Sequence, residues 1–320
     1  MRVGVVGAGL AGLAAARELT AGGHEVVVVE KSRGLGGRLA SRRLGDTVLD
    51  HGSPAISAPE GSALRAAIAA SPSTDMAETE AGVVYASGAT RLPKLLAEGL
   101  DVRLGVRLAA LRAHSDGLEL GDEQGNTHGV VDAVIVTAPA PQAADLLERS
   151  PEPDERVAAL RALAYAPAVM VLAGLPEGLV SWASHGPGPG VVAEVRRETV
   201  KGRAPVAGVE AFVARLDEDA ARELLDASDE VVLDRALPAL AVAVGTAGAD
   251  PAWVQVKRWR YAVPVGHLDS EAVNPAGSRI VIAGDSVTGA SFGSADHHRV
   301  FASGVTAARR IVSDALPVGS

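Results

Sequence analysis

Gly7-x-Gly9-x-x-Gly12 constrains this chain more than any other stretch, because it sits between the apolar run Val3 to Val6 and an Ala/Leu-rich segment ending near Gly22-Gly23. The run has the length and composition of a buried strand and the segment after it has helical periodicity, so the motif occupies a strand-to-helix turn. Gly7 permits a sharp exit from the strand, Gly9 keeps a Cβ out of the path of a pyrophosphate, and Gly12 lets helix and strand pack closely. The freed backbone N–H groups and the positive end of the helix dipole then point at phosphate oxygens. Gly7, Ala8, Gly9, Leu10, Ala11 and Gly12 are therefore candidate contacts to a dinucleotide.

A second strand, Glu25 to Glu30, ends in a carboxylate about 20 residues after the glycines, where it can accept hydrogen bonds from a ribose diol. An acid at that point disfavours a 2′-phosphate and with it NADP. Directly after it comes a second glycine-rich loop, Lys31-Ser32-Arg33-Gly34-Leu35-Gly36-Gly37-Arg38-Leu39. NAD dehydrogenases usually place a helix here, and nothing in them calls for such a loop.

The pattern from Glu30 to Arg38, followed by Ser41-Arg42-Arg43 and Leu49-Asp50-His51-Gly52, resembles the extended FAD signature of the flavin amine oxidase superfamily and, within it, the renalase-like branch. Arg258-Trp259-Arg260-Tyr261-Ala262-x-Pro264 and Gly284-Asp285-Ser286 resemble two further blocks of that branch, so the likeness covers both ends of the chain. It implies an α/β fold with a Rossmann-type FAD-binding domain, like those of glutathione reductase and the amine oxidases, and a second, α+β substrate domain. On the cofactor it places Glu30, Lys31, Ser32, Gly36, Gly37, Arg38, Leu39, His51, Gly52, Ser53, Leu108, Thr137, Gly284 and Asp285. Arg38 would reach a phosphate or the flavin edge with its fork of donors.

With 320 residues the chain has room for two domains. The expected boundaries give 1–58, 87–150 and 262–320 to a discontinuous FAD-binding domain, and 59–86 and 151–261 to the substrate domain. Only three each of Phe, Tyr and Trp are present, so any aromatic pocket wall comes from a short list. A net charge of −9 with scattered basic residues argues against a nucleic-acid partner. No apolar run is long enough to span a bilayer. The absence of cysteine excludes disulfides and a cysteinyl–flavin link. The expectation is a cytoplasmic monomer or homodimer with noncovalent FAD and no metal, since His297-His298 lacks a third ligand at a recognisable spacing.

Between the motifs, Gly45-Asp46 reads as a hairpin turn that returns Asp50-His51-Gly52-Ser53 toward the cofactor. Pro59 to Ala70 reads as a helix, Met76 to Ala86 as two short strands, and Thr90 as the N-cap of a helix through Leu100. Residues 118–131 read as a surface hairpin. Trp253, Trp259 and Tyr261 fall at period 2 on one strand and share a face, while Arg258 and Arg260 point the other way. The closing helix begins near Ala295, where Arg299 stands in place of the small glycine usual in the family. His51, Trp259, Tyr261, His298 and Arg299 are the candidates for lining the pocket.

No nucleophile motif such as GxSxG is present, so the redox step belongs to the cofactor. The resemblance implies hydride transfer to flavin N5 from a small organic donor, dihydronicotinamide-type in renalase, with dioxygen as the reoxidant. A flavin amine oxidase and a flavin-binding protein without turnover are the alternatives.

Overall fold

A computed structural model describes residues 1–150, 155–182, 184–185, 190–245, 250–289 and 296–315. Both ends of the chain are ordered around a five-stranded sheet running Ile280–Ile282, Ala133–Val136, Arg2–Val6, Glu25–Glu30, Asp101–Leu104. Every pairing in it is parallel.

The valine-rich strands are buried on both faces, as parallel strands usually are. Val3, Val5, Val28 and Ile135 enter one core with the helices Leu10–Ala21 and His297–Ala315. Those helices pack backbone to backbone, for a Cβ on Gly304 would stand 2.0 Å from the Ala11 carbonyl oxygen. Val27, Val29, Val134 and Val136 enter the opposite core with Leu111, Leu118, Leu120 and Val131. The last four belong to an antiparallel layer of Leu108–His114, Gly117–Asp122 and Thr127–Val131. The stretch read as a surface hairpin is thus a covering layer, because its alternate leucines are the apolar side of a sheet.

Residues 59–86 form the helix Ala63–Ala69, N-capped by Ser62, and the strands Met76–Thr79 and Gly82–Tyr85. The expected boundaries put them with the substrate domain. Their Leu64, Ile68, Val83 and Tyr85 instead complete the core under Leu10–Ala21. The helix after Thr90 spans Arg91–Ala97, and Thr90 makes no side-chain capping bond.

A second sheet is antiparallel, in the order Ser184–His185, Val192–Arg197, Val209–Leu216, Tyr165–Pro176, Trp253–Pro264. One face packs on the helices Glu218–Leu224 and Asp229–Ala243 through Val169, Val171, Phe212 and Ala214. The other packs on Leu49 of the hairpin Ser41–Leu44/Thr47–Asp50 through Met170, Leu172 and Val213. Among the described residues no helix is long and apolar enough to cross a membrane, and no cluster of His, Asp and Glu could hold a metal ion.

Candidate functional site

The first glycine turn is braced from beneath. Gly7 has φ +104°, and its N–H donates to the Val29 carbonyl at 2.8 Å. Thr137 Oγ1 donates to the Val6 carbonyl at 2.9 Å, so a Cβ on Gly7 would stand 2.6 Å from that hydroxyl. A Cβ on Gly12 would lie 1.9 Å from the Gly7 carbonyl oxygen. Gly9 differs: its φ of −83° is ordinary, and a Cβ there would meet nothing within 4 Å. Protein packing requires glycine at 7 and 12, while at 9 it leaves open space over the start of the Leu10–Ala21 helix. Ala8, Leu10 and Ala11 themselves are buried.

Glu30 closes one end of this cleft. Its carboxylate accepts the Ala8 N–H at 2.8 Å and the Ser32 N–H at 2.7 Å, which fixes its orientation and leaves lone pairs for a diol. The Val106 N–H donates to the Glu30 carbonyl at 3.0 Å; half-buried Leu108, two residues on, packs against the core that holds Val27 and Val29. Lys31 turns aside and donates to Gln142 Oε1 at 2.7 Å.

The second glycine loop folds onto the first. The Gly36 N–H donates to the Ala8 carbonyl at 2.9 Å, Gly36 and Gly37 both have positive φ, and a Cβ on Gly37 would touch the Gly9 Cα at 3.5 Å. Leu39 is buried and anchors the loop. Arg38 then reaches the far end: its Nη1 lies 3.0 Å from Asp285 Oδ2 and donates to the Ala262 carbonyl at 3.0 Å. Gly284, at φ +101°, turns the chain so that Asp285 is only 1 % exposed. Burial and then the charge of Asp285 push the Tyr165 phenol up. Tyr165 in turn meets Tyr261 edge to face at 5.5 Å.

Residues 51–53 run back beside this loop. The Ser53 N–H donates to the Arg38 carbonyl and the His51 and Gly52 N–H groups to that of Ala40. A Cβ on Gly52 would stand 2.0 Å from the Arg38 carbonyl oxygen, so Gly52 serves the loop's own packing. The His51 ring stacks on Trp259 at 5.4 Å, and Trp259 Nε1 donates to the His51 carbonyl at 3.0 Å. Burial, and after it the charge of Lys257, lower the imidazole pKa to about 4. His51 is therefore neutral at ordinary pH.

The candidates at the start of the last helix separate. His297 turns inward: its Nδ1 accepts the Ser57 N–H at 3.2 Å, and burial followed by the charge of Arg38 lowers its pKa to about 4. His298 is half-buried, with its Nδ1 unpartnered among the described residues. Arg299 leaves half its side chain exposed and pairs at 3.6 Å with Asp296, because one residue along a helix turns a side chain about 100° away. Arg258 and Arg260 face outward as expected, onto Asp229 and Asp226.

Sequence reasoning missed a buried quartet beside the site. Asp50 Oδ2 lies 2.9 Å from Lys201 Nζ and 2.7 Å from Arg203 Nη2, and Glu198 pairs with the same two cations. All four side chains are buried. In the sequence Glu198-x-x-Lys201-x-Arg203 looks like a solvated charged run; a short 3₁₀ turn over Glu198–Lys201 puts the first two on one side. The Asp50 carrying the opposite charge is some 150 residues away, so no local signal reveals the set.

The flavin containing amine oxidoreductase family matches residues 56–312, and an NAD(P)-binding Rossmann-like domain matches residues 5–70. A Mycobacterium tuberculosis protein named for flavin-containing monoamine oxidase is 39% identical over 102 residues, covering 30% of this chain and 22% of that protein. The chain thus spans less than a quarter of the length of that curated relative. Putrescine oxidase bound to putrescine superposes with a TM-score of 0.73 at 15% identity, over 98% of this chain and 99% of the other. Reduced UDP-galactopyranose mutase superposes at 0.74 and 12% identity, over 98% and 95%. At those identities the superpositions establish the fold.

Proposed function

The chain belongs to the flavin containing amine oxidoreductase family, and from that premise we propose an FAD-dependent oxidase of amine-oxidase type acting on a small organic donor. The observation that carries the reading is the joining of the two glycine loops into one cleft, open above Gly9 and closed by Glu30 at one end and the Arg38–Asp285 pair at the other. The donor set fits a dinucleotide: backbone N–H groups and a helix N-terminus for the pyrophosphate, a carboxylate for a ribose. Zero cysteines remain consistent with noncovalent binding.

Bound FAD would supply the two-electron chemistry, one hydride (two electrons and one proton) leaving the donor and the same two electrons going on to an acceptor, dioxygen in an oxidase. The chain's part is position and access. Arg38 fixes the strand bearing Tyr261 and Trp259 against the cofactor cleft through the Ala262 carbonyl. Trp259 and the neutral His51 stacked on it form a flat, uncharged wall that orients a donor and holds water off it. His51 Nδ1, buried without a partner among the described residues, accepts one hydrogen bond from an N–H of the donor.

Sequence resemblance alone ranks a dihydronicotinamide donor first. The family match and the aromatic wall support an amine at least as well, and the narrower renalase-like placement rests on sequence resemblance alone, in the blocks from Glu30 to Gly52 and near Arg258 and Gly284. Purified protein supplied with FAD should turn yellow. Anaerobic mixing with amines, NAD(P)H and its isomers then decides, by which donor bleaches the flavin; a protein that takes up no flavin refutes the reading.

A further inference from the structure

The sheet face that meets the hairpin is polar where it should be plain core. Cross-strand register aligns Arg196 with Val213, Val213 with Leu172 and Leu172 with Gln255 in one row. The adjacent row pairs Met170 with Lys257. Directly opposed residues of an antiparallel pair share a face, and Val213, Leu172 and Met170 pack on Leu49 of the hairpin, which fixes the side. Arg196, Gln255 and Lys257 therefore look the same way as Trp259 and the His51 stacked on it.

Several polar groups on this face are left without hydrogen bonds. Arg196 is 5% exposed, yet its Nε and Nη2 have no partner among the described residues. Its Nη1 is 4.0 Å from Glu194, too far for a hydrogen bond. Gln255 Oε1, at the other end of the row, and His51 Nδ1 are likewise buried without a partner. Folded interiors pair nearly all such groups, and even with Glu194 as an ion-pair neighbour it is costly to leave two N–H donors of a buried guanidinium unused. Cations also gather here: Lys257, Arg42 and Arg196 each act on the His51 imidazole, after burial. Asp50 opposes them, but it is itself held by Lys201 and Arg203.

We propose that this face is a substrate subsite for an oxyanion, foremost a carboxylate, with Arg196 as its main anchor and Lys257 as the second cation. Gln255 Oε1 accepts an N–H or O–H of the same molecule. Lys257 lies four residues along the strand from Tyr261 at the cofactor end, with a bulge opposite Ala166–Ala168 between them. The donor is accordingly a small molecule with an anionic tail rather than a simple diamine. Which end of it reacts rests on the proposed flavin chemistry; the anion site does not.

The test uses the full chain loaded with FAD and three probes: succinate, inorganic phosphate and putrescine. Binding is read twice, by perturbation of flavin absorbance and by tryptophan fluorescence, which needs no flavin because Trp259 lies on this face. Succinate should bind saturably and more weakly with added salt. Arg196→Met should weaken it roughly ten- to hundredfold, the usual loss for a charge-assisted hydrogen bond. Lys257→Met should weaken it less, and Arg196→Lys should recover part, losing only the two-pronged geometry. Tighter binding of phosphate than succinate would make the tail a phosphoryl group. The proposal falls if putrescine binds and neither anion does, or if both Met variants bind succinate as the parent does. Should Arg196→Met fail to fold, Lys257→Met and the probe comparison on the parent decide it. A protein that takes up no flavin but still answers succinate by fluorescence would refute the flavin assignment and keep the anion site.

Discussion

Asp50→Asn is the substitution that most directly tests how the two sheets are held together. Burial by itself would raise the Asp50 carboxyl, but Lys201 and Arg203, with bonds from Ser41 and Ala89, pull it down from 3.8 to about 2. At 1.36 kcal/mol per tenfold, that depression is worth roughly 2 kcal/mol to the folded state. Because the folded pKa lies below the unfolded one, the contribution is complete above pH about 4 and disappears as pH falls through about 2. In the variant, Lys201 and Arg203 share Glu198 alone, leaving one buried positive charge uncompensated. Breaking a buried ion pair from one side costs about 3–5 kcal/mol. With an unfolding entropy of about 2.1 cal/mol/K per residue, the whole chain unfolding as a unit would lose about 4–7 °C in Tm. Differential scanning calorimetry at neutral pH measures this directly, and a scan series down to about pH 2 should show the gap to the parent narrowing by about 2 kcal/mol. Adding Lys201→Met restores neutrality and should recover part of the loss. A Tm within about 1 °C of the parent, or a double variant no better than the single, would refute the account of the quartet.

Gly9→Ala should leave Tm unchanged, since its Cβ meets nothing, while FAD uptake measured by absorbance falls at least roughly tenfold. Gly12→Ala should abolish folding or stable FAD retention alike, because its Cβ cannot clear the Gly7 carbonyl. Burial and Arg38 hold His297 near pKa 4, so the unfolded chain takes up its proton first. Stability is complete above about pH 6.5 and falls between there and about 4, and His297→Gln should flatten that part of an acid denaturation series. Arg38→Met strands the buried Asp285 carboxylate and releases the Ala262 carbonyl. It should lower stability by about 3–5 kcal/mol in denaturant titration, and Arg38→Lys should lower it less.

Local chemistry wrote the nucleotide-binding end into the sequence. A valine run, three glycines at fixed spacing and an acid at the end of the next strand each answer to the backbone within a few residues. For that reason Gly7, Gly12, Glu30 and the Gly36-Gly37-Arg38 loop fall where the motif puts them. Period-2 patterning likewise separated Trp259 and Tyr261 from Arg258 and Arg260. Assignments that depend on what a segment packs against were not readable in this way. The helix Ala63–Ala69 and the strands after it look the same in sequence whichever core receives Leu64 and Tyr85. Arg299 and His297 differ by two positions on one helix, and only the rotation of that helix sends one to solvent and the other toward Arg38. Asp50 meets Lys201 and Arg203 only after some 150 residues of chain have folded back. Burial, which turns an ordinary charge into a strongly held or an unsatisfied one, is a property of the assembled layers, and no single stretch of sequence carries it.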